Sequence, residues 1–79
     1  MDHRIAEAFG RVLRDARNDA GFSQEKLAFE SGIDRTFVSM LERGVRQPSL
    51  TTIFQLCNAL EISPEKVVAL TTKELGERH

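Results

Sequence analysis

Seventy-nine residues with one cysteine and 11 basic against 12 acidic side chains, a net charge of −1, describe a single small domain without an internal disulfide. A chain this short buries about 60% of its unfolded surface, so its margin of stability is thin and self-association would add to it. The lone cysteine favours a reducing, cytoplasmic setting, and the longest apolar run, Val67 to Leu70, is far below the roughly 20 residues of a membrane span. The first residues are amphipathic and do not form a secretion signal.

Ile5, Phe9, Val12, Leu13 and Ala16 recur at helical spacing, with Arg11, Arg14, Asp15 and Asn18 opposite, which predicts a first helix over about residues 3–20. Gly21 ends it in a left-handed conformation, and Ser23 caps a short second helix, about residues 24–31. The buried side of that helix is Leu27, Ala28 and Ser31; Phe29 falls outside it and is expected to cover the core rim near Phe37. Gly32 closes the second helix, Ile33 enters the core, and Asp34 caps a third helix that ends at Gly44. Two short helices joined by a tight turn with a glycine form the signature of a helix-turn-helix, here over residues 23–44.

After the loop Val45, Arg46, Gln47 and Pro48, Ser49 caps a fourth helix with Leu50, Ile53, Leu56, Cys57 and Leu60 on its apolar face. Ile62 is a buried connector, and Ser63 with Pro64 starts a fifth helix over about residues 64–76. Val67, Val68, Leu70, Thr71 and Leu75 share one side of it, and the tail beyond Gly76 is expected to fray. The fold expectation is all-α: one domain over residues 1–79, five helices around one core, without strands or repeats.

On a helical wheel the third helix has two faces. Arg35, Thr36, Ser39, Met40 and Arg43 lie on one arc, and Phe37, Val38 and Leu41 on the other. Residues 35–60 hold Arg35, Arg43 and Arg46 against Glu42 alone, so the positive surplus sits at this polar face although the chain as a whole is slightly acidic.

The run Gly21-Phe22-Ser23-Gln24-Glu25-Lys26-Leu27-Ala28, then Gly32-Ile33, then Val38-Ser39-Met40-Leu41-Glu42-Arg43-Gly44 and Pro48-Ser49-Leu50 resembles the phage-repressor (Cro/cI, XRE-type) helix-turn-helix family. The resemblance covers about residues 5–70. Asp34-Arg35-Thr36-Phe37 with Glu42, Arg43 and Arg46 is similar to the small controller proteins of restriction-modification systems, where the run usually reads Asp-Arg-Thr-Tyr. Phe37 lacks that hydroxyl, and with it any phosphate contact made through a tyrosine.

This resemblance implies a compact lambda-repressor-like DNA-binding domain whose third helix, about residues 35–43, enters the major groove. Arg35 and Thr36 would then read base edges, because a guanidinium fork fits guanine O6/N7 and threonine offers a hydroxyl and a methyl. Ser39 and Met40 follow as secondary readers. Ser23, Gln24, Ser49 and Thr51 stand at helix starts, where free N–H groups and the positive dipole end favour phosphate. Arg43 and Arg46 would each neutralise one phosphate. Arg17 and Glu42 are expected to bridge the first and third helices as a partly exposed structural pair, contributing about 0 to 1 kcal/mol.

One module buries only about 600 to 1,000 Å² on double-stranded DNA, so a homodimer on a palindromic operator is expected. Its interface would draw on Phe54, Val67, Val68, Leu70 and Leu75. A repressor would occlude polymerase, and an activator would contact RNA polymerase through exposed residues near the third helix. Cys57 is read as core, and His3 and His79 have no ligand spacing. No catalytic group, metal, cofactor, membrane contact or small-molecule ligand is expected. An antitoxin-like or regulatory protein-binding module, docking through Phe54 and the fifth helix, is the alternative for the same fold.

Overall fold

A computed structural model describes residues 2–77. The chain runs α1 (His3–Asp19), α2 (Gln24–Ser31), α3 (Arg35–Glu42), α4 (Leu50–Leu60) and α5 (Pro64–Glu77). Three serines set where helices begin: Ser23, Ser49 and Ser63 accept the backbone N–H of Lys26, Thr52 and Lys66 at 3.0, 3.1 and 3.1 Å. Each bond satisfies one of the amides that a helix start leaves without an internal partner. Asp34 takes the same position before α3 but makes no side-chain cap bond, contrary to the sequence expectation.

Between α2 and α3 the chain turns at Gly32, whose φ of 71° and ψ of 26° place it in the left-handed region where a side chain would be strained. The Ile33 N–H then returns to the Ala28 carbonyl at 3.0 Å, closing the end of α2. α1 packs on α3 and α5, α2 on α3 and α4, and α4 on α5. The shared core contains Phe9, Val12 and Leu13 from α1, Leu27 and Ala28 from α2, Val38 and Leu41 from α3, Leu56 and Cys57 from α4, and Val67 from α5. Ser31 is also buried, and its hydroxyl donates to the Leu27 carbonyl at 2.6 Å, so its polar atom is satisfied.

Small residues let α1 approach its neighbours. Ala6 and Ala8 are fully buried, and a Cβ added at Gly10 would lie 2.5 Å from the Leu41 carbonyl oxygen and 2.6 Å from that of Glu42. The closing turn of α3 therefore rests on the backbone of α1.

Three apolar residues are more exposed than the sequence expectation had them. Phe29 is 84% exposed because α2 meets α3 and α4 through its Leu27, Ala28 and Ser31 side, which leaves Phe29 facing away and not covering a rim. Leu50 is 70% exposed and Ile5 is also exposed; both occupy the first turn of their helices, ahead of the packed part of the core. Among the described residues no helix is long and apolar enough to cross a membrane. His79 and the end of the tail beyond Gly76 lie outside the described residues.

Candidate nucleic-acid interface

The burial of Val38 and Leu41, with Phe37 packed against the core, fixes the rotation of α3 about its own axis. Arg35 and Thr36 are consequently exposed at its first turn, with Ser39 and Met40 half-buried one turn further on. Arg43 and Arg46 are exposed beyond its end, as are Ser23 at the start of α2 and Ser49 and Thr51 at the start of α4. Gln24 is half-buried, because its amide Nε2 donates to Glu42 Oε1 at 3.0 Å.

Ion pairing divides the arginines into two groups. Arg4 pairs with Asp2, Arg11 with Glu74, and both Arg14 and Arg17 with Glu42. Arg35, Arg43 and Arg46 form no ion pair with any described residue. The paired arginines all lie on α1, and their carboxylate partners are Asp2, Glu74 and the buried Glu42. The cations along and after α3 keep their charge open to solvent. A net charge of −1 is thus compatible with an electropositive face.

Glu42 is the structural centre of this face, and here the expectation of a partly exposed pair is corrected. Its side chain is 0% exposed. Oε2 accepts from Arg17 Nε at 2.5 Å, and Oε1 accepts from Arg17 Nη2 and Gln24 Nε2, each at 3.0 Å. Arg17 Nη1 also donates to the Phe22 carbonyl at 2.8 Å, so one guanidinium holds α1, the α1–α2 connection and α3 together. The wheel placed Glu42 on the border between two faces; in the fold, α1 covers that border.

Burial, the largest single influence, pushes the Glu42 carboxyl upward, but the hydrogen bonds and charge of Arg17, Gln24 and Arg14 outweigh it and hold the group below its usual range. The Glu42 hydrogen bond in turn raises Arg17 against the opposing effect of its own burial. Both effects favour the ionised form of the pair. Cys57 lies in the core as expected, and burial pushes its thiol upward.

Of the residues assigned to a dimer contact, Phe54 is 55% exposed, Val68 and Leu70 are exposed, and Leu75 is half-buried. Val67 is 5% exposed and closes the monomer core, because α5 turns that side onto α1 and α4; it is removed from the surface set. Leu50 was missed as a surface residue. It precedes Phe54 by one helical turn on α4. A groove of about 300 Å³ opens between α1, α4 and α5, lined among others by Ile5, Phe9, Pro48, Ile53, Val68 and Leu75.

Residues 13–67, which contain the whole α2–α3 unit, match the helix-turn-helix family. The chain belongs to that family. Within the helix-turn-helix proteins it is 40% identical to the control protein C.BamHI of Bacillus amyloliquefaciens over 73 residues, 91% of this chain and 90% of that one. It resembles the crystal structure of the restriction-modification controller protein C.AhdI from Aeromonas hydrophila, with a TM-score of 0.77 and 47% identity over 78% of this chain and 94% of that one. The crystal structure of the clp gene regulator ClgR from Corynebacterium glutamicum gives a TM-score of 0.90 at 30% identity, covering 94% of this chain and 79% of that one. The protein is a DNA-binding transcriptional regulator of the helix-turn-helix type, akin to restriction-modification controllers.

Proposed function

We propose that this regulator acts in the cytoplasm as a homodimer on a palindromic operator, each copy laying α3 in a major groove. Arg35 and Thr36 read base edges from the first turn of α3, with Ser39 and Met40 behind them. Ser23, Ser49, Thr51, Arg43 and Arg46 hold the phosphate backbone on either side. Gln24 contributes to the backbone contact with the amide capacity that Glu42 leaves free. The observation that carries this reading is the segregation of charge, with each α1 arginine in an ion pair and Arg35, Arg43 and Arg46 unpaired among the described residues.

Dimerisation is supported by the exposed apolar side chains of Leu50, Phe54, Val68 and Leu70 on neighbouring helices. It is supported also by size: a copy measuring 34 × 21 × 21 Å can sit beside a second with their recognition helices one DNA turn, about 34 Å, apart. Similarity over 94% of the restriction-modification controller protein C.AhdI favours a controller role in a restriction-modification system. A restriction endonuclease gene adjoining this one is the genomic observation to seek. Selection of bound duplexes from a random pool tests the binding reading: it should return an inverted repeat, and a pool without a shared sequence would overturn it.

A further inference from the structure

Arg14 carries a role that neither its sequence pattern nor the buried pair assigns. It projects from α1 one turn before Arg17, and its Nε lies 3.4 Å from Glu42 Oε1 with half of its side chain, 50%, exposed. That oxygen already accepts two shorter bonds, from Arg17 Nη2 and Gln24 Nε2, both at 3.0 Å. A carboxylate oxygen has about two lone-pair positions, so Arg14 is the third and outermost donor on a saturated acceptor. Glu42 does not need it.

The charge count leads to the same place. Arg14 and Arg17 face a single carboxylate, which leaves one positive charge in surplus beside Gln24, at the start of α2. The acid next to Arg14 in sequence, Asp15, lines a different groove, between α1 and α5, together with Lys66 and Lys73. The surplus therefore stays where Glu42, at the end of α3, meets Gln24, at the start of α2.

We propose that Arg14 is a DNA-backbone contact: without DNA its guanidinium rests on Glu42, and on binding it moves to the phosphate that docks at the start of α2. Glu42 remains held by Arg17 and Gln24 when it leaves. The inference rests on the DNA-binding reading above and adds a cation from α1 to a contact set otherwise drawn from the starts of α2 and α4 and from α3 and the loop after it.

The test measures affinity of the full chain for its selected duplex and for an unrelated duplex between about 50 and 200 mM salt, alongside thermal unfolding. For Arg14→Gln the slope of log K against log salt should fall by about 0.9 on both duplexes, so the affinity lost across that range becomes about 3.5-fold smaller. Its melting temperature should match the wild type. Arg14→Lys, which keeps a charge, should retain the slope. An unchanged slope for Arg14→Gln would overturn the proposal, as would a slope lost equally in the lysine variant. So would a fall in melting temperature without a change of slope, which would make Arg14 a scaffold residue. Arg46→Ala separates the two levels of the argument. A reduced slope there with none at Arg14 defeats this inference alone, whereas a wild-type protein with no salt-dependent binding defeats the DNA-binding reading itself.

Discussion

Gly10→Ala tests the contact that positions α3. An added Cβ would sit 2.5 Å from the Leu41 carbonyl oxygen and 2.6 Å from the Glu42 carbonyl oxygen, against an ordinary contact distance that begins near 3.4 Å. Both obstacles are backbone atoms, so no side chain can rotate aside, and the helices must separate by about 0.9 Å locally. Overpacking costs about 1 to 3 kcal/mol, and with two backbone obstacles the upper part of that range applies here, about 2 to 3 kcal/mol. Alanine recovers up to about 1 kcal/mol of that through its higher helix propensity. The net loss is about 1 to 2 kcal/mol, or roughly 5 to 15 °C in melting temperature for a domain of this size. Circular dichroism at matched protein concentration measures it, since the proposed dimer would make the midpoint concentration-dependent. Gly76→Ala is the control, because a Cβ there meets nothing within 4 Å. If Gly10→Ala melts at or above the wild-type temperature, helix propensity has won and α1 does not hold the end of α3 as described.

Glu42→Gln should destabilise the fold by about 3 kcal/mol, the low end of the cost of breaking a buried pair, because glutamine keeps one acceptor for Arg17. Glu42 is held below its usual range when folded, so its contribution is complete above its unfolded value near 4.5 and disappears as pH falls through the lower folded value. Wild-type stability should decline on acidification from about pH 4.5 downward, and the glutamine variant should lack that component; parallel acid-unfolding curves would contradict the ionised pair. Phe54→Asp should leave the monomer fold intact, since the ring is already 55% exposed, and should shift sedimentation toward monomer. Losing about 2 to 3 kcal/mol of burial from each of two copies corresponds to roughly a 10³- to 10⁴-fold weaker dimer. Unchanged association would remove Phe54 from the interface.

Much of the scaffold was legible because its signals are local. Ser23, Ser49 and Ser63 each cap the helix that follows, and Gly32 adopts the left-handed turn between α2 and α3. The rotation of α3 was also legible, since Val38 and Leu41 on one side imply that Arg35 and Thr36 lie on the other. What escaped depends on where a second helix lies. Glu42 was read as partly exposed because a wheel gives its angle on α3 but not the position of α1 above it. Ala6, Ala8 and Gly10 carry little hydrophobic signal, yet all three are buried and Gly10 lies against the backbone of α3. Ile5 and Leu50 share the angular position of core residues and lose burial because their turns project beyond the packed layer. The end of α4 had no glycine to mark it: Glu61 takes the left-handed conformation instead, with φ of 55°. The Arg17–Glu42 pair was expected, but the pairs of Arg4, Arg11 and Arg14 were not, because composition counts charges without placing them opposite one another.

Base reading by the first turn of α3 is the central claim, and Arg35→Ala tests it most directly. Affinity should be measured on the selected operator and on an unrelated duplex at one salt concentration. Loss of a bidentate base contact should cost about 1 to 3 kcal/mol on the operator and leave the unrelated duplex nearly unchanged. An equal loss on both duplexes would contradict the account, because it would make Arg35 one more phosphate contact and leave α3 without its principal reader.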